Sequence, residues 1–183
     1  FIKFVTFPLI FIIIFGSGYV IFNNLSALGL GQYENVDQTF EQAQIIQQDL
    51  LRSEQYGTNN YSIGTLDGTL SNSLKLAPLA IFTAIYRPSI LEIGSPAMVI
   101  SVIENFFLLL FSIYALSKTN PLRLLKQIFS SPILTYSLIF TVIFGFGVGI
   151  AGTNFGALVR YRIPLIPFFF PLIYLISKKK INP

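Results

Sequence analysis

Arg160 and Arg162 stand in the stretch Asn154-Phe-Gly-Ala-Leu-Val-Arg-Tyr-Arg-Ile-Pro-Leu-Ile-Pro167, between two long apolar runs. A guanidinium there needs a partner, because its planar fork of donors suits carboxylate or phosphate and is costly to leave bare in an apolar setting. Residues two apart diverge by about 200° on a helix but share a face in an extended chain. Gly152 and Gly156 favour a turn ahead of the pair and Pro164 a helix start behind it. An irregular loop dipping into one leaflet is therefore expected, with both guanidiniums placed to hold the phosphate of a lipid-linked substrate. The plainer alternative is that both side chains snorkel to lipid headgroups.

Two further groups accompany them. Arg87-Pro88, with Glu92 four residues beyond the proline, can form an ion pair that clamps a corner or lines a pocket. Glu104-Asn105 lies inside an apolar run, roughly 15 Å below its outer edge by helix rise. At that depth Glu104 needs a partner, and Arg87, Arg160 or a residue on a helix outside this segment are the candidates. A structural ion pair is favoured over a proton-handling carboxylate, and Asn105 is expected to hydrogen-bond a neighbouring helix. Arg87, Arg160 and Arg162 thus form the expected phosphate-binding set, with Glu92, Glu104 and Asn105 as polar partners. No residue is assigned as catalytic.

Composition narrows the chemistry and fixes the surroundings. The 183-residue chain has no His, Cys or Trp, which removes imidazole acid-base catalysis, thiol nucleophiles and disulfides from this segment, and neither metal nor cofactor is expected. Apolar residues make up 53% of it, in uncharged runs long enough to cross a bilayer. Net charge is +4, but in such a chain the placement of lysines carries more meaning than their sum, and nucleic acid is not an expected partner. Gly147-Val-Gly149-Ile-Ala-Gly152 matches a dinucleotide-binding pattern, yet it lies in an apolar run with no strand before it. Gly145 and Gly149, four apart, read instead as a small-residue seam for close helix packing.

The elements that must position these residues follow from the apolar runs. The expected fold is an all-α integral membrane protein of about four transmembrane helices plus amphipathic outer-face helices, a fragment of a larger helical bundle. The spans are placed at 1–22, 95–117, 133–151 and 163–177. Residues 23–94 form an outer loop, 118–132 a cytoplasmic loop, 152–162 the outer arginine-bearing loop and 178–183 a basic tail. Within the outer loop, Val36, Phe40, Ala43, Ile46 and Leu50 mark an amphipathic helix with Asn35 and Gln38 as a capping box, Gly57 as its stop and a wet Gln-rich face. Leu70, Leu74, Ala77, Ile81 and Ala84 mark a second stripe. Its length, Lys75 and Pro78 point to an interfacial or re-entrant helix. Lys3, the Lys118 to Lys126 connection and Lys178-Lys179-Lys180 then share the cytoplasmic side of a bacterial inner membrane, with both ends of the segment inside. Because the chain begins with Phe and leads into an apolar run, further spans are expected ahead of it.

Tyr86-Arg87-Pro88 with Glu92, Ile103-Glu104-Asn105 and the arginine-bearing stretch together resemble the C-terminal part of a family of bacterial polytopic membrane proteins associated with envelope polysaccharide assembly. The resemblance covers about residues 66 to 176. It implies a membrane glycosyltransferase-like or polymerase-like protein using a polyprenyl-phosphate sugar, with membrane lipids and other membrane subunits as partners. A transporter or flippase-like segment, and a membrane scaffold recruiting a partner through residues 35–55, are the alternative functions.

Overall fold

The computed structural model describes residues 36–51 and 59–178, with positions 12–13, 16–21, 24, 27 and 33 ahead of them. The elements are α1 (Val36–Leu50), α2 (Leu70–Tyr86), α3 (Pro96–Ser117), α4 (Pro121–Ser130), α5 (Pro132–Ala151), α6 (Phe155–Tyr161) and α7 (Ile166–Ser177), with a 3-10 turn at Ile90–Glu92. Among the described residues there is no strand, only an isolated bridge between Asn60 and Asn154. Three helices start in the same way: Ser95-Pro96, Asn120-Pro121 and Ser131-Pro132 place an extended residue before a proline whose missing N–H is not needed in the first turn.

Among the described residues two helices, α3 and α5, are long and apolar enough to cross a membrane, and a third candidate results if α6 and α7, bent by 72°, count as one. About four were expected. The first of those, 1–22, lies mostly outside the described residues, although 16–21 are helical. The expected fourth, 163–177, corresponds to α7, which reaches spanning length only together with α6. The 118–132 connection is also more ordered than a loop: α4 occupies most of it, burying Ile128 and turning Leu122, Leu125 and Phe129 outward. The Asn120 side chain, which accepts from the Leu122 N–H at 3.0 Å, starts this helix.

Helix directions follow from side-chain pairs. Phe111 stacks on Phe170, and Thr119 donates to the Ile176 carbonyl at 3.3 Å, so α3 and α7 run parallel. Gly145 faces Leu165, and Phe140 meets Phe168 with ring centroids 4.2 Å apart, so α5 runs opposite to both. Gln127 donates to the Leu175 carbonyl at 3.0 Å. Lys118, Arg123, Lys126 and Lys178 therefore collect at one end of the bundle, where Lys118 and Lys178 lie over the rings of Tyr114 and Tyr174. We call this the lysine end and the opposite one the loop end.

The most extensive helix contact joins α2 to α5. It uses the expected glycine seam: an added Cβ at Gly149 would run into the Ala80 peptide, 2.8 Å from its Cα, and one at Gly145 would meet Ala84 and Ile81. Of the expected stripe on α2, Ala84 is buried and Ile81 packs against the core, but Leu70 and Leu74 are exposed. Ser73, Ala80, Thr83 and Ala84 pack inward, while Leu70, Leu74, Leu79 and Phe82 are exposed. Close approach of two backbones requires small side chains at the contact, so the large aliphatic ones point away, as in helices packed within lipid.

This register makes α2 the first arm of a hairpin whose tip lies inside the bundle. Ala80 lies opposite Gly149 near the loop end of α5, Ala84 lies opposite Gly145, and the helix stops at Tyr86, about midway along α5. There the Pro88 carbonyl accepts from Asn105, nine residues or about 13.5 Å along α3. The chain then climbs back, so that Gly94 sits against the Asn59 side chain at the loop end. Pro78 within α2 is tolerated, and the helix is capped by Thr69, which accepts from the Asn72 N–H at 3.2 Å.

The α1 cap expected at Asn35 and the stop at Gly57 lie outside the described residues. The Gln-rich face of α1 is not wholly wet, because Gln47 is only 3% exposed. Its amide accepts from the Leu66 N–H and donates to the Gly64 carbonyl, at 3.2 and 3.3 Å, and its own carbonyl accepts from Thr153. A buried irregular segment needs such partners for its backbone, and a side-chain amide supplies a donor and an acceptor together.

The seam is testable by comparing two substitutions on one helix. Gly149→Ala should lower unfolding free energy in detergent micelles by about 1–3 kcal/mol through overpacking. Gly147→Ala, where an added Cβ meets nothing within 4 Å, should change it by less than about 0.5 kcal/mol. Equal effects would refute the close approach.

Candidate functional site: the arginines of the helix breaks

Arg162 lies where α2, α3, α6 and α7 converge. It closes α6 as the C-cap residue, and Leu165 N–H bonds back to its carbonyl at 2.8 Å, turning the chain into α7. The side chain is 4% exposed. Its Nη1 donates to the Asn105 Oδ1, to the Arg87 carbonyl at 3.2 Å and to the Ile85 carbonyl at 3.4 Å. Those two carbonyls belong to the C-terminal turn of α2, which no intrahelical N–H can satisfy and where the helix dipole favours a cation. Asn105, 2% exposed, completes the arrangement by donating to the Pro88 carbonyl at 2.9 Å. Arg162 thus fixes the tip of α2.

Arg160 takes a different path. The segment expected as a loop is the helix α6, started by Asn154, whose side chain accepts from Gly156 and Ala157. The Asn154 side chain also donates to Asn60 at 2.9 Å. On a helix the two arginines point apart, and they do not form a pair. Arg160 is exposed, and its Nε donates to the Gly156 carbonyl at 3.0 Å, so the side chain folds back toward the loop end. It borders a groove of about 570 Å³ between α5 and the α6–α7 elbow, lined by Ile143, Phe144, Gly147, Val148, Ala151, Tyr161 and Pro164. The Gly147 position leaves the groove wall open.

Arg87 and Glu92 form the expected ion pair, half-buried at the corner after α2. Arg87 Nε donates to Glu92 Oε1 at 2.8 Å and its Nη2 reaches the same oxygen, while Glu92 Oε2 accepts from the Ser89 N–H and hydroxyl, both at 2.8 Å. Burial pushes the Glu92 carboxyl up, but the hydrogen bonds from Arg87 and Ser89 and the Arg87 charge outweigh it and hold the group below the ordinary glutamate range. The Arg87 guanidinium also lies 4.4 Å from the Tyr61 ring centroid and 5.3 Å from that of Phe155, rings that stack on each other. Tyr61 and Phe155 are site residues that the sequence reading missed. Nothing local signals them, because they meet across a separation of 94 residues.

Of the partners expected for Glu104, neither Arg87 nor Arg160 is paired with it. Arg87 is held by Glu92 and Arg160 by α6, and Glu104 makes no hydrogen bond or ion pair among the described residues. Its side chain is exposed on α3, although it is close enough to Arg162 for their charges to interact. The structure therefore joins Arg162 with Asn105 and Arg87 with Glu92, and leaves Arg160 and Glu104 on separate outer faces. The chain matches no family model, no curated protein and no solved structure.

Arg162→Met should destabilise the protein by on the order of 3 kcal/mol, because two buried helix-end carbonyls lose their donor. Combined with Asn105→Leu in a double-mutant cycle read by unfolding, the coupling should reach about 1 kcal/mol or more, whereas additive losses would mean that the two act separately.

Proposed function

We propose that this chain is a segment of an integral bacterial inner-membrane protein that binds a phosphate-bearing lipid, with the headgroup on Arg160 and the hydrocarbon chain in the groove between α5 and the α6–α7 elbow. The observation that carries this reading is an exposed guanidinium at an apolar groove of about 570 Å³. Arg160 spends its Nε on Gly156, and no bond of its two Nη groups to a described residue is seen, which leaves the bidentate end for phosphate. The side chain folds toward the loop end, so the phosphate would sit shallower than the tail beside Ile143. Arg87 and Arg162, expected to share the phosphate, have structural partners instead.

Membrane placement is supported by the two or three helices of spanning length and by the small residues through which α2 approaches α5. The outward row Leu122, Leu125 and Phe129 on α4, beside Arg123 and Lys126, suits a helix lying in the interface at the lysine end. With lysines marking the cytoplasmic side, both segment ends lie inside and the groove opens to the outer leaflet. Joined to the resemblance in sequence, a polyprenyl-phosphate-linked sugar is the ligand class, and lipid-linked glycan assembly the role. A flippase-like reading draws on the broken α6–α7 pair, a feature of helices that line membrane transport paths. Recruitment through α1 is less favoured, because Gln47 and Phe40 tie that helix to the bundle.

In nanodiscs of zwitterionic lipid, polyprenyl phosphate should bind more tightly than the corresponding polyprenol. Arg160→Ala should weaken the phosphate about tenfold, the loss of one charge-assisted contact, and leave the alcohol unchanged. Gly147→Leu, which fills the groove, should weaken both. Equal binding of phosphate and alcohol, or indifference to both substitutions, would contradict the reading.

A further inference from the structure

At the lysine end, α4 presents a surface that the bundle does not cover. Leu124, Gln127 and Ile128 turn toward the bundle, whereas Leu122, Leu125 and Phe129, at steps of three and four, form an outward apolar row at least half exposed. Lys126 borders that row and Arg123 follows it, both exposed and on the side of the helix away from Ile128. The Thr119 bond to the Ile176 carbonyl and the Gln127 bond to the Leu175 carbonyl gather Lys118, Lys126 and Lys178 round the end of α7. Lys118 and Lys178 lie 5.3 and 4.5 Å from the rings of Tyr114 and Tyr174, which are themselves about half-exposed. Cations and tyrosines together at helix ends are the composition of the headgroup layer.

Charge at this end is one-sided. All eight acidic residues precede position 105, and Glu104, the last of them, stands fourteen positions before Lys118, about 21 Å by helix rise. Lys118, Arg123, Lys126 and Lys178 form no ion pair among the described residues. The helix dipole accounts for Lys118 and Lys178, which cap the C-termini of α3 and α7. It opposes Arg123, which stands in the first turn of α4, where the positive end of the dipole favours an anion. Charge complementarity therefore selects an anionic occupant, and the apolar row selects one that carries hydrocarbon. We propose that the lysine end binds anionic phospholipid, with α4 lying in the headgroup layer, Leu122, Leu125 and Phe129 among the acyl chains, and Arg123 and Lys126 on the phosphodiester groups.

The inference rests on the membrane placement but not on lipid binding at Arg160, which belongs to the other end of the bundle. The chain has no tryptophan, so Phe129→Trp in the full chain, reconstituted in phosphatidylcholine nanodiscs, puts a single fluorophore in the row. Brominated lipids quench a tryptophan that they touch. Brominated phosphatidylglycerol, as a minor fraction, should quench about fivefold more effectively than brominated phosphatidylcholine at the same fraction, the attraction of roughly one cation. Arg123→Gln with Lys126→Gln should cut that preference below about twofold, and about 1 M salt should do the same without any substitution. Ile100→Trp, at an exposed position of α3 toward the loop end, should be quenched equally by both lipids. A tryptophan at position 129 that neither lipid reaches, as when the row docks on another protein, overturns the proposal. So do equal quenching by the two lipids, a preference insensitive to salt and to the paired substitutions, or the same preference at position 100. Binding at Arg160 is read with polyprenyl phosphate in zwitterionic lipid, so either reading can fail while the other stands.

Discussion

The fold depends on how the end of α2 is satisfied. A helix that stops inside an apolar bundle exposes carbonyls that neither water nor the next turn can reach, and each such group left bare costs on the order of a few kcal/mol. Arg162 meets this need from the opposite direction. Its guanidinium is itself too costly to bury alone, and the Ile85 and Arg87 carbonyls with the Asn105 side chain give it acceptors. Two liabilities thus cancel, a bare helix end and a buried cation, and the match fixes α2, α3, α6 and α7 at one level. One apolar cluster, with Tyr61, Phe155 and Leu158, lies on one side of that level, and a second, with Ile85, Leu165 and Phe169, on the other.

Close packing of α2 on α5 makes the convergence possible. Without the Gly145 and Gly149 surfaces the backbones could not approach near enough for the tip of α2 to reach Arg162. The same geometry separates the roles of the three arginines. Arg87 leaves the α2 tip toward the loop end and is held between Glu92 and two aromatic rings, Arg162 turns inward, and Arg160, on the other side of α6, stays outside. The elbow after Arg162 opens the groove beside it. A buried cation and an exposed one two residues apart are therefore consequences of one short helix.

Sequence made some of this legible and hid the rest for identifiable reasons. The spans around 95–117 and 133–151 were readable because long apolar runs bounded by Ser-Pro need no knowledge of partners, and α3 and α5 fall within one or two residues of them. The glycine seam and the Arg87–Glu92 pair were readable because each depends on residues within five positions. The buried face of α2 was partly legible: Ala84 and Ile81 do pack inward, but hydrophobicity ranks Leu70 and Leu74 above the small residues Ser73, Ala80 and Thr83 that are buried, because close helix contact is decided by size. The loop expected at 152–162 is a helix because Asn154 caps it, a signal that was present but outweighed by the two glycines. The surroundings of Arg162 join residues up to 77 apart, and no local pattern could disclose them.

The hairpin of α2, held at its tip by Arg162, brings Asn72 and Gly94 toward the same end of the bundle. The chain has no cysteine, so single cysteines placed in it report without background. Cysteines at Asn72 and Gly94, before and after the hairpin, should react with a membrane-impermeant maleimide from the same face of sealed vesicles, and one at Thr119 only from the other. Labelling of positions 72 and 94 from opposite faces would make α2 a full crossing and contradict the account.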